Sequence, residues 1–394
     1  MPCELIANLQ FLPPPAHPVD LLVVAGEASG DEHSALLVSE LLKKHSDLTI
    51  SAIGGFRIEQ AGAHLVYPLV DHAVVGLVEV LKNYRTFKQI FTNTIEWIKK
   101  YKPKTILLVD YPGFNLRLAG ELKKLGISLK GGGAVKILQY ISPQLWAWKP
   151  KRRFVMERTL DGLGVIFPFE VKCYEDTQLP VSFVGHPFAQ PNYECSLKYD
   201  PAGPLLLLPG SRVQPVQRIL PVFLDTLNKL LIDLPDLEVC LPVPDSKIRM
   251  VVDKLLSPRL NLKERVRVVD TGGELRARAA LMSSGTMSLS CAISGIPGVI
   301  AYRAHPLTYL LGRMLVTIPY LGMANILLPD ARPYPEFIQG RANGKILHQS
   351  MLKILRDDSA EEKSALISQK LLECLKVSDE RGAVDWLSQE ISLA

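Results

Sequence analysis

The stretch "LLVVAGEASGDEHSALL", Leu21 to Leu37, decides how the chain is built. The apolar run Leu21 to Ala25 reads as a buried strand. Gly26 and Gly30 bracket a turn, and the segment Glu32 to His45 has the periodicity of a helix packed on a sheet. Strand, glycine turn and helix start open a parallel β-α-β unit. The glycines are spaced G-x-x-x-G, which is neither the dinucleotide fingerprint G-x-G-x-x-G nor the phosphate loop G-x-x-x-x-G-K-[ST]. Glu27 also stands in the mouth of the turn, where a phosphate would meet a negative charge. A turn of this shape calls for a ligand other than a bare phosphate.

The same alternation runs outward from this stretch. Strand candidates follow at Thr105 to Val109, Val135 to Tyr140, Gly162 to Ile166 and Val181 to Val184, with a helix candidate at Thr86 to Tyr101. The segment "GHPFAQPNYECSLKYDPAGP", Gly185 to Pro204, breaks the periodicity with prolines and glycines and reads as a connection between domains. The pattern restarts with strands at Leu205 to Leu208, Leu237 to Leu241, Val266 to Val269, Ala279 to Met282 and Val299 to Tyr302. A helix follows "PGSR" that Pro221 is expected to kink or divide, and Glu361 to Lys376 and Ala383 to Ile391 read as closing helices. The fold class is therefore α/β, with two doubly wound, Rossmann-like domains.

Composition supports this and narrows the function. With 394 residues, 47% of them hydrophobic, the chain can fill two cores, which excludes a disordered or fibrous protein. A net charge of +5, without basic clustering apart from Lys149 to Arg153, argues against a dedicated nucleic-acid binder. The six cysteines lie far apart with no C-x-x-C pair, so neither a zinc site nor a disulfide framework is expected, and a reducing cytoplasm fits. The N-terminal "MPCELIANLQFLPPPAHPVD" lacks the basic and apolar regions of a signal peptide. No uninterrupted run of about 20 apolar residues exists, so no transmembrane helix is expected.

Chemistry is expected where strands end. "LLLLPGSR" sets Gly210, Ser211 and Arg212 between a strand's carboxyl end and a helix start, where free N–H groups, the helix dipole and a guanidinium favour phosphate; a tight turn with a surface arginine reads equally well. "LMSSGTMSLS", Leu281 to Ser290, repeats the geometry with Gly285 and Thr286, and two such turns in one domain point to a diphosphate crevice. In the first half, "LLVDYPGFN" ends a strand on Asp110, a general-base candidate or a turn cap, with Asn115 as a polar contact or turn residue. "YISPQLWAWKPKRR" combines tryptophans with basic residues, suited to a sugar phosphate or a membrane interface, or else to a core followed by a solvated turn. The segment Ala73 to Phe91 is apolar around much of its circumference, as in a helix lying on a membrane or one buried against a sheet. His186 in "VGHP" reads as structural.

Together these stretches resemble the lipid-A-disaccharide synthase family, inverting glycosyltransferases of GT-B architecture. The resemblance is carried by "VAGEASGD" (24 to 31), "GLVEVL" (76 to 81), "VDYPGFN" (109 to 115), "ISPQLWAWKPKR" (141 to 152), "FPFE" (167 to 170), "FVGHP" (183 to 187), "LLPGSR" (207 to 212), "SSGT" (283 to 286) and "PEFIQ" (335 to 339), in the family's order. It implies two Rossmann-like domains facing each other across a cleft. Residues 1–19 would be an irregular lead-in, 20–190 the acceptor and membrane-facing domain, and 191–360 the UDP-sugar domain. Residues 361–394 would be helices exchanged in a homodimer or packed back on the first domain. The implied donor is UDP-2,3-diacylglucosamine and the acceptor 2,3-diacylglucosamine 1-phosphate (lipid X), joined at the cytoplasmic face of the inner membrane of Gram-negative bacteria. No cofactor or metal is implied. The resemblance makes Asp110 the first choice of base, with Glu27 as acceptor contact or support for Asp110. It places Gly210, Ser211, Arg212, Gly285, Thr286, Asn325 and Glu336 around the nucleotide, Asn115 on the substrate, and Val74, Val78 and Leu81 against acyl chains.

The sequence departs from the family at Pro215 and Ser290, where glutamates are usual, and at Gln190, where an acidic residue is usual. Those departures motivate the alternative of a non-catalytic or divergent relative that binds another UDP-sugar or a lipid. On the resemblance, the opening turn faces a sugar acceptor, where a carboxylate at Glu27 is useful.

Overall fold

The computed structural model describes residues 10–72, 84–190, 193, 195–283, 285–305, 309, 318–377 and 382–392. Val74, Val78 and Leu81 lie outside the described residues. The chain forms two compact units, Met1–Pro187 with Val377–Ala394, and Phe188–Lys376. The boundary at Pro187 falls three residues before the expected one at 190. The helix Ala360–Leu375, expected in a separate terminal segment, belongs to the second unit. Its Ser368 hydroxyl donates to the Ile293 carbonyl, and Leu371 and Leu375 are buried.

In the first unit the strands are β1 (Leu21–Ala25), β2 (Ile50–Ile53), β3 (His64–Tyr67), β4 (Thr105–Val109), β5 (Lys136–Tyr140), β6 (Gly162–Val165) and β7 (Val181–Phe183). They form one parallel sheet in the order β3-β2-β1-β4-β5-β6-β7. The order reverses direction between β1 and β4, which opens a crevice at their carboxyl ends. Strands buried on both faces explain the continuous apolar runs read from the sequence. β2 and β3 were not expected, because four-residue stretches such as "ISAI" carry no periodicity to read.

In the second unit β8 (Leu197–Tyr199) pairs with β12 (Leu275–Ala277) as a small ribbon. The main sheet holds β9 (Leu205–Leu208), β10 (Val239–Val243), β11 (Val266–Asp270), β13 (Ala279–Met282), β14 (Gly298–Tyr302) and β15 (Glu336–Ile338), in the order β11-β10-β9-β13-β14-β15. The helix Val213–Asp233 runs through Pro221 without the expected division. Val216, Ile219, Leu220, Phe223, Leu224, Leu227 and Leu230 on it are buried. At about 1.5 to 3 kcal/mol for each large apolar side chain, that burial outweighs a proline cost of about 3 kcal/mol. Among the described residues, no helix is long and apolar enough to cross a membrane.

Candidate active site on the first sheet and anion turns on the second

The carboxyl edge of the first sheet gathers carboxylates. Glu27 follows β1 and takes the N-cap position of the helix Ala28–Lys44, with extended backbone and no side-chain cap. Gly26 beside it is required by close approach: a Cβ there would lie 2.1 Å from Cδ1 of Tyr111. Asp31 lies within this helix, buried, and its carboxylate accepts from the backbone N–H groups of Gly55 (3.0 Å), Arg57 (3.1 Å) and Ile58 (3.3 Å). It therefore caps the neighbouring helix Phe56–Gln60, a tertiary contact that local spacing does not reveal.

Asp110 follows β4, and its backbone is left-handed, φ 45°, as is that of Tyr111, φ 45°. Two consecutive non-glycine residues in this region store strain of about 1 to 3 kcal/mol each. Burial pushes the Asp110 carboxyl up to about 6, the Glu27 charge adds to this, and a backbone hydrogen bond from Tyr111 opposes it. A carboxylate so placed is a base poised close to neutral pH. Asn115 is fully buried. Its Nδ2 donates to the carbonyls of Asp110 (2.9 Å) and Val109 (3.1 Å) and, at 3.5 Å, of Val24. Asn115 reads from the sequence as a polar contact or a turn residue, and these bonds fit the second of the two.

Sequence reasoning missed Glu170, although it follows β6 by the same rule that singled out Asp110. Burial pushes its carboxyl up to about 7, with the Asp110 charge adding and hydrogen bonds from Phe167, Trp146 and Ile166 opposing. Trp146 Nε1 donates to Oε1 and Phe167 N to Oε2, each at 3.2 Å. The two tryptophans of "WAWKPKRR" thus part company: Trp146 serves Glu170, whereas Trp148 is 52% exposed, with the Lys149 ammonium 4.7 Å from its ring centroid. Arg153 pairs with Asp176 through both Nε and Nη2 at 2.6 Å. His186 is buried edge-on to His33, with ring centroids 6.3 Å apart, and burial and His33 push it down to about 3. It is neutral at physiological pH, consistent with a structural histidine.

The second sheet presents glycine turns. Gly210 (φ 112°) and Gly285 (φ 146°) hold left-handed backbone that other residues would strain to adopt. Gly210, Ser211 and Arg212 are exposed, and Arg212 is the N-cap of the helix Val213–Asp233. Pro215 sits in that helix's first turn, where its missing N–H costs nothing. Gly285 is the N-cap of the helix that Thr286 opens, Thr286–Ile293. Free N–H groups at two helix starts and an exposed guanidinium can hold a diphosphate.

Asn325 is 1% exposed. Its Nδ2 donates to the Tyr334 carbonyl (2.8 Å) and Glu336 Oε1 (2.7 Å), and its Oδ1 accepts from Tyr334 N (2.9 Å). These bonds tie the amide into the loop's own structure. Glu336 is half-buried, and its oxygens accept from Leu321 N (2.8 Å) and Gly322 N (3.0 Å). A cavity of about 810 Å³ in this unit, lined by Tyr193, Ile293, Leu372 and their neighbours, includes none of the nucleotide-side residues named above.

Residues 21–386 match the family described as lipid-A-disaccharide synthetase. The chain is 36% identical over 374 residues to lipid-A-disaccharide synthase 1 of Legionella pneumophila subsp. pneumophila, covering 91% of this chain and 94% of that one. It is 34% identical over 371 residues to lipid-A-disaccharide synthase of Geobacter sulfurreducens, covering 89% and 92%. Among solved structures, it is similar to UDP-GlcNAc 2-epimerase from Neisseria meningitidis bound to UDP-GlcNAc, with a TM-score of 0.58 at 12% identity over 95% of this chain and 98% of that one. It is also similar to CalG4, the calicheamicin glycosyltransferase, with a TM-score of 0.54 at 14% identity over 98% and 99%. At such identities the likeness speaks for the fold, two Rossmann-like domains of GT-B type.

Proposed function

The chain belongs to the lipid-A-disaccharide synthetase family and is a glycosyltransferase of lipid A biosynthesis, and on that premise we propose its substrates and the residues that act on them. The donor is UDP-2,3-diacylglucosamine and the acceptor 2,3-diacylglucosamine 1-phosphate. The acceptor's 6-hydroxyl oxygen attacks the donor's anomeric carbon with inversion, the bond from that carbon to the UDP oxygen breaks, and the hydroxyl proton passes to Asp110. The products are the β-1,6-linked disaccharide 1-phosphate and UDP.

The observation that carries the assignment is Asp110 at the end of β4, half-buried near Glu27, with its carboxyl pushed up to about 6. A carboxylate of ordinary acidity is a weaker base, and a positioned base contributes about 10²- to 10⁴-fold. Glu27 raises the basicity of Asp110 and faces the acceptor. Arg212, the backbone at Gly210 and Ser211, and the Gly285 to Thr286 turn meet the charge that develops on departing UDP. Glu336, fixed by Leu321 and Gly322, holds the loop beside the nucleotide.

We place the enzyme at the cytoplasmic face of the inner membrane, since both substrates carry acyl chains. Val74, Val78 and Leu81 would receive those chains, and the exposed Trp148 with Lys149 suits an anionic interface. UDP release from purified protein given both substrates tests the assignment. Release by Asp110→Asn at the wild-type rate would remove Asp110 from the role of base.

A further inference from the structure

Two strained corners of the first sheet meet at one buried side chain. β4 ends in Asp110 and Tyr111, both left-handed, and β5 ends in Ile141, φ 67°, a β-branched residue for which this backbone region is especially unfavourable. Gln139 lies on β5 opposite Leu108 of β4 and is fully buried. Its Nε2 donates to the carbonyl of Asp110 and to the carbonyl of Ile141, each at 3.2 Å. One amide therefore ties both corners. The Asp110 carbonyl also accepts from Asn115 Nδ2 at 2.9 Å, so two side-chain amides hold one backbone oxygen. The orientation of both amides is fixed, because the groups facing these nitrogens are carbonyl acceptors.

The remaining atoms point the same way. Asn115 Oδ1 and Gln139 Oε1 are buried with no hydrogen-bond donor among the described residues. A buried acceptor left in this condition is unfavourable, and Leu would fill a strand position at lower cost. The glutamine is accounted for by its nitrogen end alone. Were Asp110 to relax to extended backbone, the Asp110–Tyr111 peptide would rotate, its carbonyl would leave both amides, and the carboxylate would swing away.

We propose that Gln139, with Asn115, is a positioning residue for the transfer reaction: it clamps the carbonyl of Asp110 and so fixes the strained corner that aims the Asp110 carboxylate. The proposal rests on the reading of Asp110 as base. Gln139 touches no substrate and acts through Asp110. The charged groups around Asp110 are Glu27 after β1 and Glu170 after β6, with the Tyr111 phenol adjoining Glu27.

The test compares Gln139→Leu, which removes the donor at similar volume, with Gln139→His, whose Nε2–H can reach the same oxygen. Displacing a catalytic group by about 1 Å costs on the order of 10²-fold. Gln139→Leu is expected to lower kcat by about that factor, with KM for both substrates within about twofold. The acid limb of its pH–rate profile should move to lower pH as the carboxylate gains solvent. Gln139→His should recover most of kcat. If Gln139→Leu keeps wild-type kcat and pH profile, or changes only Tm, the clamp is overturned. If it fails to fold, Gln139→His decides: wild-type KM with a restored profile supports the clamp, and a folded Gln139→His with the defect unrescued overturns it. Asp110→Asn run in parallel separates the two ideas. An active Asp110→Asn removes the base assignment, whereas an inactive one beside an unaffected Gln139→Leu removes the clamp alone.

Discussion

The two sheets share parallel topology and glycine-marked turns, yet their carboxyl edges carry different groups. The first carries Glu27, Asp110 and Glu170, two of them with carboxyls pushed up by burial, and its Asp110 corner is built from strained non-glycine residues. The second offers Gly210 and Gly285 with exposed Ser211 and Arg212, and its carboxylate Glu336 is tied to backbone N–H groups. Moving a proton calls for a buried group held rigidly. Holding an anion calls for bare backbone, a helix start and a cation. The fold supplies the strand ends, and local residues decide which task each edge performs.

The comparison breaks most readily at Asp110. Asp110→Asn should lower kcat by about 10²- to 10⁴-fold in a UDP-release assay and leave donor affinity unchanged. The same variant should be more stable. The folded carboxyl is raised from 3.8 to about 6, so the native state binds its proton more tightly than the unfolded one. Stability is therefore lost as pH rises from about 4 through about 6, and the loss persists above it. Relieving it should raise Tm at pH 8 by the equivalent of at most about 3 kcal/mol, with no gain near pH 3. An unchanged Tm at pH 8 would contradict the buried environment.

Arg212→Ala should weaken donor binding by roughly 10- to 150-fold, the worth of one hydrogen bond to a charged group, in titrations with UDP. Its pH–rate profile should keep the wild-type acid limb. If Arg212→Ala shifts that limb, the division between the two edges fails. Glu27→Gln sharpens the same point from the other side. Removing the neighbouring charge should move the acid limb from about pH 6 to lower pH, read from kcat/KM, and leave UDP affinity intact. Asp31→Ala should cost about 1 to 3 kcal/mol in urea unfolding, because three backbone donors of the adjoining helix lose their acceptor. The smallest effect is expected from Val78→Ser with Leu81→Ser. Sedimentation with anionic liposomes should fall severalfold, with the thermal transition unmoved.

The strands that bear the site were legible because they are continuous apolar runs ending in a turn. β1, β4, β9 and β13 stand where the sequence placed them, and the rule that open sheets bind ligands at carboxyl ends pointed to Asp110. The strands β2, β3, β8, β12 and β15 are short and each contains a polar residue, so no continuous apolar run marks them. Strain was invisible, since Asp110, Tyr111 and Ile141 are not residues that advertise left-handed backbone. Asn115, read as a polar contact or a turn residue, and Asn325, placed near the nucleotide by the resemblance, both spend hydrogen bonds on backbone carbonyls. Where those bonds go is settled by carbonyls brought in from other strands and loops. Gln139 stands inside an apolar strand, and its hydrogen bonds go to strand-end carbonyls that local spacing does not reveal.

The C-terminal helix Ala383–Ser392 adds a consequence for how the protein is made. Trp386 packs so closely on β6 that a Cβ on Gly164 would lie 3.0 Å from its ring. Glu390 pairs with Lys136 of β5 at 2.7 Å, and Ser388 meets His45 at 3.0 Å. The residues that complete the first unit thus follow the whole of the second unit in the chain, so the first sheet is begun before the second unit is synthesised and closed only after it.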